Sequence, residues 1–101
     1  MNTLTENLTE KVNFYIDKES YLVYKNDKSY MLPKKEFELL CLLNSKPGKV
    51  FRRLEIFQAI WNSDNIMNNR TIDVHISRIR EKLGEEMIRT VIGIGYKLVL
   101  D

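Results

Sequence analysis

The chain has 101 residues, of which 44% are hydrophobic and 30% charged, and its formal net charge is +2. This length allows one domain with a modest core, which argues against a large enzyme pocket. No apolar run approaches the roughly 20 residues that span a bilayer, and the start MNTLTENLTEK lacks the apolar stretch of a secretory signal, so we expect no membrane segment. A single cysteine, Cys41, cannot form an internal disulfide, which favours a cytoplasmic location.

Basic charge is distributed unevenly along the chain. The first 32 residues carry four Lys and five acidic residues, whereas residues 33–53 carry six Lys or Arg and two acidic residues. Positive charge therefore gathers around the predicted helices. The small net charge is by itself weak evidence for a nucleic-acid partner.

The N-terminal part is predicted to be a tail followed by strands. Residues 1–9 are rich in Asn, Thr and Glu, so we expect a flexible tail or linker remnant there and the domain over residues 10–101. From Lys11, the stretches VNFYID, YLVYKN and SYML alternate apolar and polar residues. This alternation predicts three short antiparallel strands.

Two helices are predicted next. Pro33 opens a segment in which Phe37, Leu40 and Cys41 recur at helical spacing, and Pro47-Gly48 ends it. We expect Cys41 to be a small buried hydrophobic residue. After an extended KVF, the stretch RRLEIFQAIW predicts a second helix. Its expected buried face consists of Leu54, Phe57, Ile60 and Trp61.

Residues 70–83, RTIDVHISRIREKL, form the clearest helical pattern. The stripe that we expect to be buried consists of Ile72, Ile76, Ile79 and Leu83. Asn69 is the expected N-cap, Asp73 lies in the first turn, and Gly84 ends the helix. The last segment, EEMIRTVIGIGYKLVL, is β-branched on both sides of a Gly93-Ile94-Gly95 turn and predicts a hairpin.

Catalytic and metal sites are not supported by the sequence. Asp73, His75 and Ser77 are two residues apart on a helix, so they do not face one another and cannot form a relay. We expect His75 to be a packed or backbone-bonded imidazole. One His and one Cys do not make a metal site of known spacing.

Val74 is an apolar residue on the outward face of the third predicted helix. Its expected neighbours on that face are Arg70, Thr71, Ser77 and Arg78. An α-helix fits the major groove of B-DNA, where a valine can contact a thymine methyl group and Arg can bond guanine. The alternative is an ordinary solvated face with one exposed apolar residue, which is common.

Several spaced motifs resemble the OmpR/PhoB family of response-regulator effector domains over roughly residues 11–100. They are residues 70–80 (RTIDVHISRIR), 82–84 (KLG), 88–96 (IRTVIGIGY), 36–40 (EFELL), 47–50 (PGKV) and 60–61 (IW). The resemblance implies an α+β winged helix-turn-helix with an N-terminal four-stranded antiparallel sheet, three helices and a C-terminal hairpin wing. It implies DNA binding and control of transcription in a bacterial two-component system, without catalysis or a cofactor.

The resemblance also implies roles for particular positions. Helix 70–83 would enter the major groove, with bases or nearby phosphates contacted by Arg70, Val74, Ser77 and Arg78. The hairpin wing, residues 87–100, would reach the minor groove. Contacts to the backbone or through the wing would come from Trp61, Thr71, Arg80, Arg53, Arg89, Thr90, Tyr96 and Lys97. A loop that can face RNA polymerase would consist of Asn62, Ser63, Asp64, Asn65, Ile66, Met67, Asn68 and Asn69.

The chain departs from the family pattern at a few positions. Ile92 stands where many members carry Arg in the wing, and Ser77 where the third helix is often basic. Pro33 and Arg52 replace the usual threonine and serine caps of the first two helices. We expect Arg89 or Lys97 to substitute for the wing Arg as a phosphate contact.

Full members of the family carry an N-terminal receiver whose phosphorylation promotes dimerisation on direct-repeat operators. We expect this chain to be an effector domain cut from a longer regulator, or a free-standing version, that is monomeric and binds weakly alone. The rival interpretation is a winged helix that binds an acidic protein and no nucleic acid. Salt dependence of binding to random duplex separates the two.

Overall fold

The computed structural model describes residues 13–62 and 70–100. In chain order, its strands and helices are β1 (Phe14–Asp17), β2 (Leu22–Lys25), β3 (Lys28–Met31), α1 (Lys34–Ser45), β4 (Phe51–Arg52), α2 (Arg53–Trp61), α3 (Arg70–Leu83), β5 (Ile88–Val91) and β6 (Gly95–Leu98). This is the predicted order of strands, helices and terminal hairpin, with the short strand β4 in addition. The expected tail and the expected N-cap Asn69 lie outside the described residues.

The N-terminal sheet is antiparallel, with strand order β1-β2-β3. Asn26 and Asp27 form the turn between β2 and β3 with φ values of 51° and 71°, which two-residue hairpin turns require and which Asn and Asp tolerate. Tyr15 lies opposite Tyr24 in the register of β1 and β2. The three predicted strands are confirmed, and within the described residues this sheet has three strands where the resemblance implies four.

Helix α1 is the central core helix, as predicted. It begins after Pro33, whose carbonyl accepts a hydrogen bond from the N–H of Phe37 at 2.9 Å. The residues that it buries are Glu36, Phe37, Leu39, Leu40 and Leu43. Cys41 lies at the edge of this face and is half-buried. Burial raises the pKa of its thiol because a desolvated thiolate is disfavoured.

Helix α2 differs from the prediction in the face that it buries. Its buried residues are Ile56 and Ile60, with Phe57 and Trp61 partly packed against the core. Leu54, which was expected in the buried stripe, is 43% exposed, so that prediction was wrong. At about 100° per residue, Leu54 lies on the opposite side of the helix from Ile56, and the core selects the side that carries Ile56.

Helix α3 agrees with the prediction in both its bounds and its faces. Its buried residues are the four that were expected: Ile72, Ile76, Ile79 and Leu83. Its end is tied to the N-terminal sheet, since the ammonium of Lys25 donates to the carbonyl of Leu83. Gly84 follows with a φ of +100°, which glycine adopts without strain. The helix is therefore held firmly while its opposite face stays exposed.

The C-terminal sheet combines the predicted hairpin with β4, in the order β4-β6-β5. Phe51 pairs with Tyr96 and Arg52 with Gly95. A Cβ atom at Gly95 would lie 1.9 Å from the carbonyl oxygen of Phe51, so only glycine allows β4 to approach β6 at this point. Because β4 directly precedes α2, this pairing connects the wing to the second helix.

Candidate nucleic-acid interface

The exposed face of α3 is the candidate interface. Val74 is 42% exposed, and its neighbours Arg70, Ser77 and Arg78 are exposed while Thr71 is half-buried. The predicted surrounding of Val74 by cationic and hydroxyl side chains is therefore present. A shallow surface cavity of about 470 Å³ on this face is lined by Arg70, Thr71, Val74 and His75.

Asp73 joins three elements behind this face. Its Oδ1 accepts a hydrogen bond from Nη1 of Arg53, the first residue of α2, at 2.6 Å and another from the hydroxyl of Tyr96 on β6. The guanidinium of Arg53 also lies 5.3 Å from the centroid of the Tyr96 ring. Asp73 therefore fixes the first turn of α3 against α2 and the wing. Sequence reasoning placed Asp73 in that turn but missed these two partners.

Two opposing effects act on the pKa of the Asp73 carboxyl group. Burial raises the pKa, and the hydrogen bonds from Tyr96 and Arg53 lower it. The net pKa lies below the ordinary value of 3.8. Because the folded-state pKa is the lower one, Asp73 stabilises the fold above about pH 3.8, and this contribution is lost as pH falls through the folded-state pKa.

We expect Asp73→Asn to lower the free energy of unfolding at neutral pH by about 1 kcal/mol, a modest value because the side chain is 46% exposed and solvent screens it. Asparagine keeps the shape of the side chain but lacks the negative charge of the carboxylate to which Arg53 and Tyr96 donate hydrogen bonds. The difference from the native chain is expected to shrink below pH 3.8, as followed by urea unfolding at several pH values. Glu81→Gln, at an exposed position on the same helix, is the matched control. A difference for Asp73→Asn that is independent of pH would contradict this assignment.

Arg80 connects α3 to the wing. Its Nη2 donates to the carbonyl of Ile88 at 2.7 Å and to the hydroxyl of Thr90 at 3.0 Å. Its guanidinium lies 5.8 Å from the centroid of the Tyr96 ring. The prediction that Arg80 contacts the DNA backbone is thus accompanied by a structural role that the sequence did not indicate.

Tyr96 is only 4% exposed, and its hydroxyl is bonded to Asp73. Burial raises the pKa of this hydroxyl, and the bond to Asp73 raises it further, so it remains a neutral donor. Arg53 has 29% of its side chain exposed and is ion-paired with Asp73. Arg53, Tyr96 and Arg80, all predicted as backbone contacts, are therefore brought together as the link between α2, α3 and the wing.

The wing presents different side chains on its two faces. Thr90 and Tyr96 are cross-strand partners, as are Arg89 and Lys97. Neighbouring residues on a strand point to opposite faces, so Arg89 and Lys97 lie on the face away from Tyr96. The tip is a turn at residues 92–94 in which Ile92 is 90% exposed.

Trp61, at the end of α2, packs between an aromatic and a basic neighbour. Its ring stacks on Phe57 at a centroid distance of 5.1 Å and lies 5.4 Å from the imidazole of His75. Nζ of Lys35 lies 5.9 Å from the Trp61 ring and donates to the carbonyl of Ile60 at 2.7 Å. His75 is thus packed, as expected.

Asn62 is the first residue of the predicted polymerase loop. It is exposed in a left-handed conformation with a φ of 53°. The other residues of that loop, 63–69, lie outside the described residues.

Asp73, His75 and Ser77 have different surroundings in the structure. Asp73 is bonded to Arg53 and Tyr96, His75 packs against Trp61, and Ser77 is exposed. Over residues 13–62 and 70–100, no three His, Cys, Asp or Glu side chains are grouped as metal ligands. Within the same ranges, no helix has the length and apolar character needed to cross a membrane.

Comparison with known proteins identifies close relatives. A family model described as "Transcriptional regulatory protein, C terminal" matches residues 27–98. The chain is 38% identical over 87 residues to the phosphate regulon transcriptional regulatory protein PhoB of Rhizobium meliloti, covering 82% of this chain. It is 45% identical over 85 residues to the heme response regulator HssR of Staphylococcus saprophyticus, covering 79% of this chain. In both comparisons the chain spans 38% of the length of the relative.

Solved structures of similar fold are also available. The DNA-binding domain of Bacillus subtilis CssR matches with a TM-score of 0.78 and 27% identity, covering 86% of this chain and all of that one. The DNA-binding domain of the response regulator AdeR, solved in complex with an intercistronic region, matches with a TM-score of 0.77 and 32% identity. That match covers 88% of this chain and 96% of the AdeR chain.

Proposed function

The chain belongs to the family of C-terminal domains of OmpR/PhoB-type transcriptional regulatory proteins, and we propose that it binds double-stranded DNA through the exposed face of α3. The observation that carries this proposal is the position of Val74. It is 42% exposed, between Arg70 and Arg78, on a helix whose opposite face is fully buried. The function is that of a winged helix DNA-binding effector, and the assignment of individual contacts is our proposal.

The chemistry of this face matches the edges of base pairs in the major groove. Val74 can bury its methyl groups against a thymine methyl, and Arg70 or Arg78 can bond the two acceptors of a guanine. Ser77 and Thr71 can donate to a base or a phosphate. Because Ser77 replaces a residue that is often basic, we expect it to add little to the salt-dependent part of the affinity.

The remaining predicted contacts divide into direct and supporting roles. Thr90 is exposed beside Arg80, and we propose that it contacts a phosphate next to the wing. Trp61 is half-buried and is proposed to bond a phosphate through its indole N–H. Arg53, Arg80 and Tyr96 act on binding chiefly by holding α3 and the wing in register. Arg89 and Lys97, on the far face of the wing, are proposed as peripheral phosphate contacts.

The chain spans 38% of the length of its relatives PhoB and HssR, so the activity of the whole regulator is also a proposal. We propose that a receiver domain of the same protein brings two of these effector domains together on a direct-repeat site in the cytoplasm. The segment 62–69 between α2 and α3 is proposed to face RNA polymerase. The isolated domain is proposed to be a monomer that binds one half-site weakly.

Salt titration of binding to random duplex tests the proposed function. Each phosphate neutralised by Lys or Arg lowers the logarithm of the association constant by about 0.9 per logarithmic unit of salt. With Arg70, Arg78 and peripheral cations engaged, we expect a slope of roughly −3 to −4. A domain that shows no binding to duplex at low salt, yet binds an acidic protein, would contradict the proposal and favour the rival function.

Because Ile92 is at its tip, we expect the wing to recognise the minor groove only weakly. Ile92→Arg is expected to tighten binding several-fold at sites with A·T-rich flanks, because narrow minor grooves attract Arg. The stability should not change, since Ile92 is 90% exposed. Affinities measured on matched duplexes with A·T-rich and G·C-rich flanks check the prediction, and equal effects on both would contradict it.

A further inference from the structure

The N-terminal sheet carries aromatic and apolar side chains on both of its faces. Opposite residues of an antiparallel pair point to the same face, and neighbours along a strand alternate. The register therefore places Tyr15 beside Tyr24, and Leu22 beside Met31, on one face. The other face, to which Val23 belongs, packs on the core. A sheet with one solvated face ordinarily carries polar residues on it, so the composition of this face requires an explanation.

We name this surface the outward face of the sheet; its residues are Tyr15, Asp17, Leu22, Tyr24, Ser29 and Met31. Met31 is 72% exposed and Tyr15 61% exposed. The rings of Tyr15 and Tyr24 lie together, with their centroids 6.2 Å apart. Adjoining exposed apolar residues commonly mark a surface that another element or molecule covers. Strands β1 to β3 contribute no residue to the candidate nucleic-acid interface, so DNA binding does not explain the outward face.

The chain enters the sheet at one end of the outward face. The N–H of Asn13 donates to Oδ1 of Asn26 at 3.3 Å, and the carbonyl of Asn13 accepts from the N–H of Asn26 at 2.9 Å. These bonds hold Asn13 at the turn between β2 and β3, two residues before Tyr15. Residues 1–12 therefore join the sheet next to the pair of tyrosine rings.

Residues 1–10, with the sequence MNTLTENLTE, combine a polar composition with a helical apolar stripe. At about 100° per residue, Met1, Leu4 and Leu8 fall within about 60° of one another, and Glu6 and Glu10 fall on the opposite side. A helix of this length is marginal alone in water, which is why the sequence predicts a tail. Packing of its apolar side on another surface supplies the stabilisation that such a segment lacks.

The dimensions of this segment and of the outward face agree. Ten helical residues are about 15 Å long, and a helix is about 10 Å across. From Asn13 to Asp17 the sheet is about 13 Å long, and its three strands are about 10 Å wide. One short helix therefore covers the outward face, and residues 11 and 12 connect it to β1.

We propose that the outward face of the N-terminal sheet is a docking site for residues 1–10 of the same chain, which pack on it as an amphipathic helix. The apolar stripe of the segment contacts the two tyrosine rings and Met31, and its two glutamates remain in solvent. The contact stabilises a sheet of three short strands from its outer side. It is separate from DNA binding and does not rest on the proposed function.

Nuclear Overhauser contacts in the native chain test the docking directly. Methyl groups of Leu4 and Leu8, labelled with carbon-13, are expected to show contacts to the ring protons of Tyr15 and Tyr24 that persist on dilution. A mixture of labelled and unlabelled chains should show no such contacts between chains. Contacts found only between chains would make a second copy the occupant and overturn the proposal. Absence of any contact from either leucine to the sheet would overturn it as well.

Substitutions on the two surfaces give a second readout. Met31→Thr replaces a side chain that is 72% exposed by a polar one that suits a strand, and at an uncovered surface this change is nearly neutral. With the segment docked, Met31→Thr and Leu4→Asp are each expected to lower the urea midpoint by about 0.5 M. The double variant should lose less than the two single losses combined, because both substitutions remove the same contact.

The matched control is Thr3→Asp, which introduces the same carboxylate one residue before Leu4. At about 100° per residue it lies on the side of the two glutamates, so the urea midpoint should not change. Both measurements are made without DNA, which keeps them independent of the proposed function. Additive effects of Met31→Thr and Leu4→Asp, or equal effects of Leu4→Asp and Thr3→Asp, would overturn the docking and leave DNA binding through α3 intact.

Discussion

Val74→Glu is expected to abolish specific DNA binding while leaving the fold intact. Val74 is 42% exposed on α3, and its side chain is outside the core, so we expect a change in stability within about 0.5 kcal/mol. In the complex, the new carboxylate would lie among base edges and phosphates. Like charges placed together at an interface cost several kcal/mol, which corresponds to a loss of affinity of about 100-fold or more.

The control for this prediction separates the effect of the introduced charge from the effect of the larger side chain. Val74→Gln introduces a side chain of nearly the same size as Glu without its charge, so it should lose only the contact with a thymine methyl and weaken binding far less. Affinities from fluorescence anisotropy, together with thermal unfolding of each variant, check the comparison. Normal binding by a folded Val74→Glu variant would show that α3 does not face the DNA in the proposed orientation.

Ile76→Ala is expected to lower the stability of the fold and to leave DNA affinity unchanged, the reverse of Val74→Glu. Ile76 nevertheless lies only two residues from Val74 on the same helix. Ile76 is 1% exposed and packs in the core. Truncation of a buried Ile to Ala removes apolar contacts and leaves a cavity, which costs about 2–5 kcal/mol. This is a large part of the roughly 5–15 kcal/mol that stabilises a domain of ordinary size. We expect a marked fall in the urea midpoint with affinity retained by the folded fraction.

The matched control is Ile92→Ala, which makes the same chemical change at a residue that is 90% exposed. It should leave the urea midpoint almost unchanged. An equal effect of the two substitutions on stability would mean that the buried stripe of α3 is not the one described. Ile76→Ala and the Val74 variants together test the buried and the exposed face of α3.

Sequence alone predicted the faces of α3 but not that of α2, for a physical reason. In α3 the apolar residues form one narrow stripe against strongly polar neighbours, so a single orientation buries them. Helix α2 has nine residues and is apolar on most sides. Its pattern fits a stripe through Leu54 as well as one through Ile56, and only packing against α1 and α3 decides between them.

The features that the sequence could not indicate depend on contacts between distant segments. Strand β4 has two residues and forms only because Gly95, more than forty positions later, leaves room for Phe51. The bonds of Asp73 to Arg53 and Tyr96 join three elements, and no local spacing reveals them. Glu36 follows the helical spacing of the buried residues Leu40 and Leu43, a signal that could have indicated its burial.

The most direct test of the central claim is a map of the bound surface in solution. NMR signals of backbone amides and methyl groups would be followed while a duplex selected from a random library is added. The largest changes are expected at Arg70, Val74 and Arg78, with Tyr15 and Tyr24 of the N-terminal sheet unaffected. Changes concentrated on that sheet, with the methyl signals of Val74 unmoved at saturating duplex, would contradict the account.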